Sequence, residues 1–234
     1  MSDDEGLKML MDMQGNLLPE LEPYVRESAV GLWLAHPYVH QPFHPGMAGY
    51  INKQYEAKKE AVARCKESGD YSQFLWFHER PYRMHAFQEV AELLNDTDYW
   101  TLLAELWVDS ENIREFHDEW VELLMDDRPG REHFMNEEGR EALAALPDEF
   151  TIYQGHTFDR DDGWSWTTDE AKAVWFARRF ASLERSTPLV SVATVYKDDV
   201  LGYLLQRGES EIVVDPDVVE LIRVYDPGVE VDRD

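Results

Sequence analysis

The chain has 234 residues, of which 44% are apolar and 12% aromatic, enough to bury a sizeable core and too apolar for a disordered polymer. A formal charge of −26 sets its surface against phosphate backbones and anionic membranes, so direct nucleic-acid backbone binding and membrane binding are not expected. Cys65 is the single cysteine and excludes an internal disulfide; with no leader-like segment and no membrane-length apolar run, the expectation is a cytoplasmic protein.

Taken in chain order, the first apolar cluster is short and broken by Asp12, Gln14 and Asn16. His36, His40 and His44 recur every four residues, a spacing that aligns metal ligands on a helix. Pro37, Pro42 and Pro45 forbid that helix, so the segment reads as aromatic and proline packing and no metal site is expected. Helical periodicity predicts helices over residues 53–67, 83–94, 99–108, 111–125 and 138–146. In the fourth, Asp109 or Ser110 caps the start, and Ile113, Phe116, Trp120, Leu123 and Leu124 share one face. The run His78-Glu79-Arg80-Pro81-Tyr82-Arg83 holds two arginines in an acidic chain, and pairing with neighbouring acids is favoured over anion binding.

Breakers at Asp126-Asp127-Arg128-Pro129-Gly130 and at Pro147-Asp148 precede a change of character. Beyond them, strand formers predict strands over 150–154, 189–196, 211–215 and 218–224. One helix interrupts them. Its start, Thr167-Thr168-Asp169-Glu170, matches the Ser/Thr-x-x-Glu capping box, with Thr167 as the cap. The fold class is therefore α+β, with a mainly helical part over 1–147 and a β-rich part over 148–234.

Arg207-Gly208-Glu209-Ser210-Glu211 leads into Ile212-Val213-Val214 and sets two carboxylates two residues apart at the mouth of a predicted strand. With a period of two, both project from one face. Like charges side by side on a strand need either solvent or a chemical task. An exposed strand edge decorated with acids is the plain alternative in a chain holding 48 Asp and Glu. Upstream stand Gly163-Trp164-Ser165-Trp166-Thr167 and, before that, Ile152-Tyr153-Gln154-Gly155-His156. Capping explains Thr167 locally, whereas nothing local explains Ser165.

These three blocks, in this order, resemble the ADP-ribosyltransferase superfamily in its arginine-serine-glutamate branch: an aromatic-Arg-Gly strand, a Ser-x-Ser/Thr strand end and a Glu-x-Glu strand. The resemblance covers about residues 151–216 and implies a compact ADP-ribosyltransferase-like split β-sandwich that binds NAD as a substrate and transfers ADP-ribose to a protein acceptor, with arginine favoured by the Glu-x-Glu form. It implies Glu211 as the carboxylate beside the developing ribose cation, Glu209 as the group that orients or deprotonates the acceptor, and Ser165 as the hydroxyl that orients Glu211. Tyr153, Gln154, Gly155, Trp166, Thr167 and Phe176, together with Ser165, are the implied NAD-contacting positions. Gly155 would admit the nicotinamide amide to the main chain, and Tyr153, Trp166, Phe176 and Tyr203 are candidates to stack on the ring, Phe176 being favoured as core.

The sequence departs from the family pattern at Gln154, where the first motif carries arginine or histidine. A glutamine amide lacks the fixed charge with which a guanidinium grips phosphate oxygens. His156, Arg160 and Arg178 are the nearby candidates to supply charge. The alternatives are a catalytically degenerate relative that only binds a partner, and an acidic mimic of nucleic acid. Small transferase-like segments of this kind occur in phage and toxin proteins.

Overall fold

The computed structural model describes residues 15–110, 113–157 and 163–228, and it divides into two compact units, Met1–Leu94 and Asn95–Asp234. Pro147 lies inside the second unit, so the helices from Asp96 onward belong with the β-rich segment rather than with the N-terminal residues.

In the first unit, β1 (Val25–Ser28), β2 (Gly31–His36) and β3 (Val39–Pro42) form an antiparallel three-stranded meander. This part of the chain was expected to be helix and loop. Pro37 sits in the β2–β3 turn and Pro42 is the last residue of β3, positions where a missing N–H breaks no interior ladder. The meander's Leu34 and Val39 pack with Leu21, Ile51 and Tyr55. The last two lie on α1 (Ala48–Ser68), which stops at Gly69 in the left-handed region (φ 72°), its N–H bonded to the carbonyls of Cys65 and Lys66. Two shorter helices follow, α2 (Tyr71–Phe77), capped by the Asp70 side chain, and α3 (Arg83–Val90). The polar run from His78 to Arg83 is consumed locally: Glu79 pairs with Lys58 at 2.6 Å, and Arg83 donates to the His78 carbonyl while lying over the Trp76 ring.

The second unit opens with α4 (Asp96–Asp109), capped by Asn95, whose side chain accepts from the Asp98 N–H, and loaded with buried Tyr99, Trp100, Leu103, Leu106 and Trp107. A 3-10 turn (Ile113–Phe116) precedes α5 (His117–Leu124), so the helix expected from residue 111 is split in two; residues 111 and 112 lie outside the described residues. Ser110 closes α4 instead of capping the next helix. Then come α6 (Glu137–Ala145), β4 (Glu149–Thr157), β5 (Ser165–Thr167), α7 (Glu170–Glu184), β6 (Pro188–Tyr196), β7 (Val200–Leu204), β8 (Glu211–Val214) and β9 (Glu220–Tyr225).

These six strands form one antiparallel sheet in the order β7-β8-β5-β4-β6-β9. On one face, Phe150, Ile152, Trp166, Ala193, Val195, Ile212 and Val214 pack with Met135 and with Leu143 of α6. On the other, α7 lies on β4 and β6 through Ala173, Ala177 and Val190. The ladder is uneven. β4 pairs with β6 from Glu149↔Tyr196 through Thr157↔Pro188, but with β5 only at Tyr153↔Thr167 among the described residues. Continuing that register would set Gly155 opposite Ser165; that rung is not made, and the sheet opens there into two three-stranded halves. No helix of the described residues is long and apolar enough to cross a membrane.

Candidate functional site

The opening between β4 and β5 is the seat of a cavity of about 240 Å³ whose lining includes Tyr153, Gln154, Ser165, Phe176, Glu209 and Glu211. Gly155, Trp166 and Thr167 line it as well, so the catalytic and NAD-contacting positions singled out in the sequence converge on a single cleft. Antiparallel pairing explains why. β5 and β8 are neighbours with Thr167 opposite Glu211 and Ser165 opposite Val213. Ser165 and Glu211 are thus diagonal neighbours on one face, a separation that side chains of this length can span.

The Ser165 hydroxyl donates to Glu211 Oε1 in a short contact, and the indole Nε1–H of Trp107 donates to the same oxygen at 3.0 Å. A carboxylate that accepts two donors from separate elements is fixed in orientation, because each bond restricts a different rotation of the side chain. Trp107 is 2% exposed and packs edge-on against Trp120, ring centroids 5.0 Å apart, so it is a rigid donor. Sequence reasoning missed it: a tryptophan on an apolar helix face, 104 positions before its partner, reads as core.

Glu209 reaches the cleft by a different route from the one expected. It lies outside β8, at the end of a 3-10 turn (Gln206–Gly208) with φ −96° and ψ −13°, and Ser210 follows with φ 48°. A two-residue strand period therefore does not operate across Glu209 and Glu211. The turn does the placing, with Gly208 (φ 63°) and Ser210 both in the left-handed region that non-glycine residues enter at a cost. It is pinned by the Thr167 hydroxyl, which donates to the Glu209 carbonyl at 2.7 Å, and by the Thr168 N–H, which donates to the Ser210 carbonyl.

Thr167 is therefore not the cap of α7. That position belongs to Asp169, whose carboxylate accepts from the N–H groups of Ala171 and Lys172; a β-strand holds Thr167 two residues too early for the box. Gly155 has a reason independent of any ligand: a Cβ there would lie 1.9 Å from the Ala173 carbonyl oxygen and 2.7 Å from Ala177 N, so the glycine is what lets α7 lie on the sheet. Of the aromatics, Tyr153 and Phe176 are half-buried in the wall, Phe176 stacked on Phe180 at 5.9 Å. Trp166 is 4% exposed and spends its indole N–H on the Gly163 carbonyl, and Tyr203 is buried with its hydroxyl against Thr168, so both act as core.

Gln154 is part of the cleft lining and bridges its seam. Its Nε2 donates to the carbonyls of Gly163 (2.8 Å) and Ser165 (3.2 Å), standing in for the ladder bonds that β4 and β5 do not make. Its Oε1 is buried with no partner among the described residues. The proposed sources of charge separate. His156 is 4% exposed, with Nδ1 on the Thr157 carbonyl, which can only accept, and Nε2 on the Ser191 hydroxyl. Arg178 donates to the Pro227 carbonyl and is not part of the lining, and Arg160 lies outside the described residues. Arg114 and His117, from the segment after α4, do line the cleft; neither carried a sequence signal beyond its place near a helix start.

His36, His40 and His44 fall on β2, on β3 and at the start of a 3-10 turn, and no group of three or more His, Cys, Asp or Glu among the described residues could hold a metal ion. No family model, no curated protein and no solved structure matches the chain.

Proposed function

We propose that the cleft binds NAD and transfers its ADP-ribose to a protein acceptor, arginine being the side chain best suited, with release of nicotinamide. The observation that carries this reading is the meeting of Ser165, Trp107 and Glu211: a carboxylate oriented by two donors in the wall of a cleft where the three motif segments converge. A compact ADP-ribosyltransferase-like domain, a sheet divided at its middle, is the fold this reading implies for the β-rich part, acting in a reducing compartment such as the cytoplasm.

The chemistry needs little more. The bond between the nicotinamide nitrogen and ribose C1′ breaks with its electron pair moving to the pyridinium nitrogen, which leaves as neutral nicotinamide and requires no acid. Positive charge develops on C1′ and the ring oxygen, and a fixed carboxylate stabilises it without reorganising during the reaction. Glu211 takes that role. The acceptor nitrogen then forms its bond to C1′ and gives up a proton, for which Glu209, at the cleft mouth on its own turn, is the receiving group. Tyr153 and Phe176 supply the half-buried aromatic wall for the ring.

Incubation of the full chain with NAD labelled in the adenylate portion, and a basic protein as acceptor, tests the reading. Glu211→Gln should slow nicotinamide release by about a hundredfold or more, the scale for loss of one oriented electrostatic group. Glu209→Ala should depress transfer to protein while sparing hydrolysis of NAD; equal loss of both removes the acceptor role. A wild-type chain that releases no nicotinamide under any acceptor ends the proposal.

Gln154 favours a second reading. With its N–H groups committed to the seam, it offers no positive charge to the dinucleotide, as in a relative that retains the ligand site without turnover. NAD binding with no nicotinamide release would select it.

A further inference from the structure

We infer that Thr167 is the positioning residue for Glu209 and thereby sets how the reaction divides between transfer to a protein acceptor and hydrolysis by water. This rests on the NAD reading above.

A strand presents every second residue to one face, and on β5 those residues are Ser165 and Thr167, the latter directly opposite Glu211 in the ladder with β8. Each hydroxyl serves a different glutamate. Ser165 donates to the Glu211 carboxylate, whereas Thr167 donates at 2.7 Å to the main-chain carbonyl of Glu209. The same Thr167 oxygen accepts from the N–H of Asp169, the cap of α7, at 3.1 Å. One hydroxyl therefore joins the end of β5, the start of α7 and the turn that carries Glu209. Its single proton is committed to that turn, so Thr167 is not a donor to NAD.

The turn needs such a tie. Gly208 and Ser210, on either side of Glu209, have φ values of 63° and 48°, and for the serine this left-handed region is disfavoured. Backbone of this kind keeps its shape where its surroundings hold it. The Thr167 hydroxyl holds the Glu209 carbonyl, and the Thr168 N–H holds the Ser210 carbonyl at 3.2 Å. Of these two bonds the second is main chain to main chain, so residue 167 is where a side chain decides how firmly the turn is fixed. Thr167 is 5% exposed, and its bond meets little competition from water.

The two steps of the reaction depend on different ties. Cleavage at C1′ relies on Glu211, which Ser165 and Trp107 orient. Transfer relies in addition on a base standing where the acceptor nitrogen arrives, and an acceptor side chain must meet that base in one orientation. Water is small and abundant and meets no such demand. A loosened turn therefore diverts the ribose cation from protein to water.

The full chain, supplied with NAD labelled in the adenylate portion, tests this by label transfer to a basic protein and by NAD hydrolysis without it. Thr167→Val keeps size and branching and deletes the hydroxyl. The ratio of transfer to hydrolysis should fall about fivefold or more in Thr167→Val and return to within about twofold of wild type in Thr167→Ser; in a Glu209→Ala background, Thr167→Val should lower the ratio no further. Transfer and hydrolysis falling in proportion, or a further drop of the ratio in the Glu209→Ala background, overturns the assignment while wild-type nicotinamide release keeps the transferase reading. Should Thr167→Val fail to fold, Thr167→Cys, with a weak donor in place of the hydroxyl, carries the same comparison against Thr167→Ser. A wild-type chain that releases no nicotinamide overturns the reading and the assignment together.

Discussion

Two clusters of polar and aromatic side chains are buried in this chain, one in each compact unit, and they handle ionisable groups in opposite ways. Around His36, Tyr24 and Tyr55 meet the imidazole edge-on at 4.5 and 5.0 Å, and Nδ1 accepts from the Tyr38 N–H. Burial pushes the pKa of His36 down to about 4, against the weaker upward pull of Glu20, and burial lowers that of His78 as well. Those histidines act as neutral rings. In the cleft of the second unit, donors from α4 and β5 converge on one carboxylate oxygen. The first cluster suppresses charge to fill space, whereas the second orients it. The difference teaches that polarity alone does not mark a site; convergence from separate elements does.

The comparison is broken most severely by removing the fit that shapes the cleft. Gly155→Ala puts a methyl group within 1.9 Å of the Ala173 carbonyl oxygen, so α7 must back away from β4; the expected cost is about 3 kcal/mol, read as a drop in the denaturant midpoint of the Asn95–Asp234 unit. An unchanged midpoint would mean that α7 does not pack against β4 at Gly155. Acid sharpens the other side. Above pH 6.5 His36 is neutral both folded and unfolded. As pH falls from 6.5 toward 4, the unfolded chain binds a proton that the folded chain refuses, so stability is lost across that window, by about 1–3 kcal/mol. Denaturation at pH 7.5 and 5 should show this loss, and His36→Phe should remove much of it; an equal loss in the variant would assign it to other groups. The smallest effect is the most diagnostic. Trp107→Phe keeps the ring and deletes the N–H that holds Glu211, so nicotinamide release should slow by about tenfold, roughly 1.4 kcal/mol, with NAD affinity and thermal midpoint close to wild type. A matched fall in affinity would make Trp107 a wall rather than a positioning residue.

How much of this was legible in the sequence follows from the range of the forces involved. Periodicity is local, and it placed α4, α6, β4, β6 and β8 within a few residues. The β1–β3 meander was hidden because Pro37 and Pro42 read as breakers, although they stand at a turn and a strand end. Likewise β7 was missed: Gly202 interrupts its strand formers, and only the structure shows that the Phe134 ring occupies the space its side chain would need. For the cleft, spacing brought Ser165, Glu209 and Glu211 forward, but with the wrong geometry for Glu209, which a left-handed turn and not a pleat presents. Trp107, Arg114 and His117 were beyond reach because a long-range contact leaves no periodic trace.

The seam between β4 and β5 has a mechanical meaning. Among the described residues, its halves are hydrogen-bonded by one rung, Tyr153 with Thr167, and by one amide that grips two carbonyls. Spreading of the halves would lengthen the Gln154 hydrogen bonds to Gly163 and Ser165 together with the Tyr153–Thr167 rung. The width of the cleft and the setting of the Gln154 amide are thereby geared together, so that one side chain holds the measure of how far the sheet stands ajar.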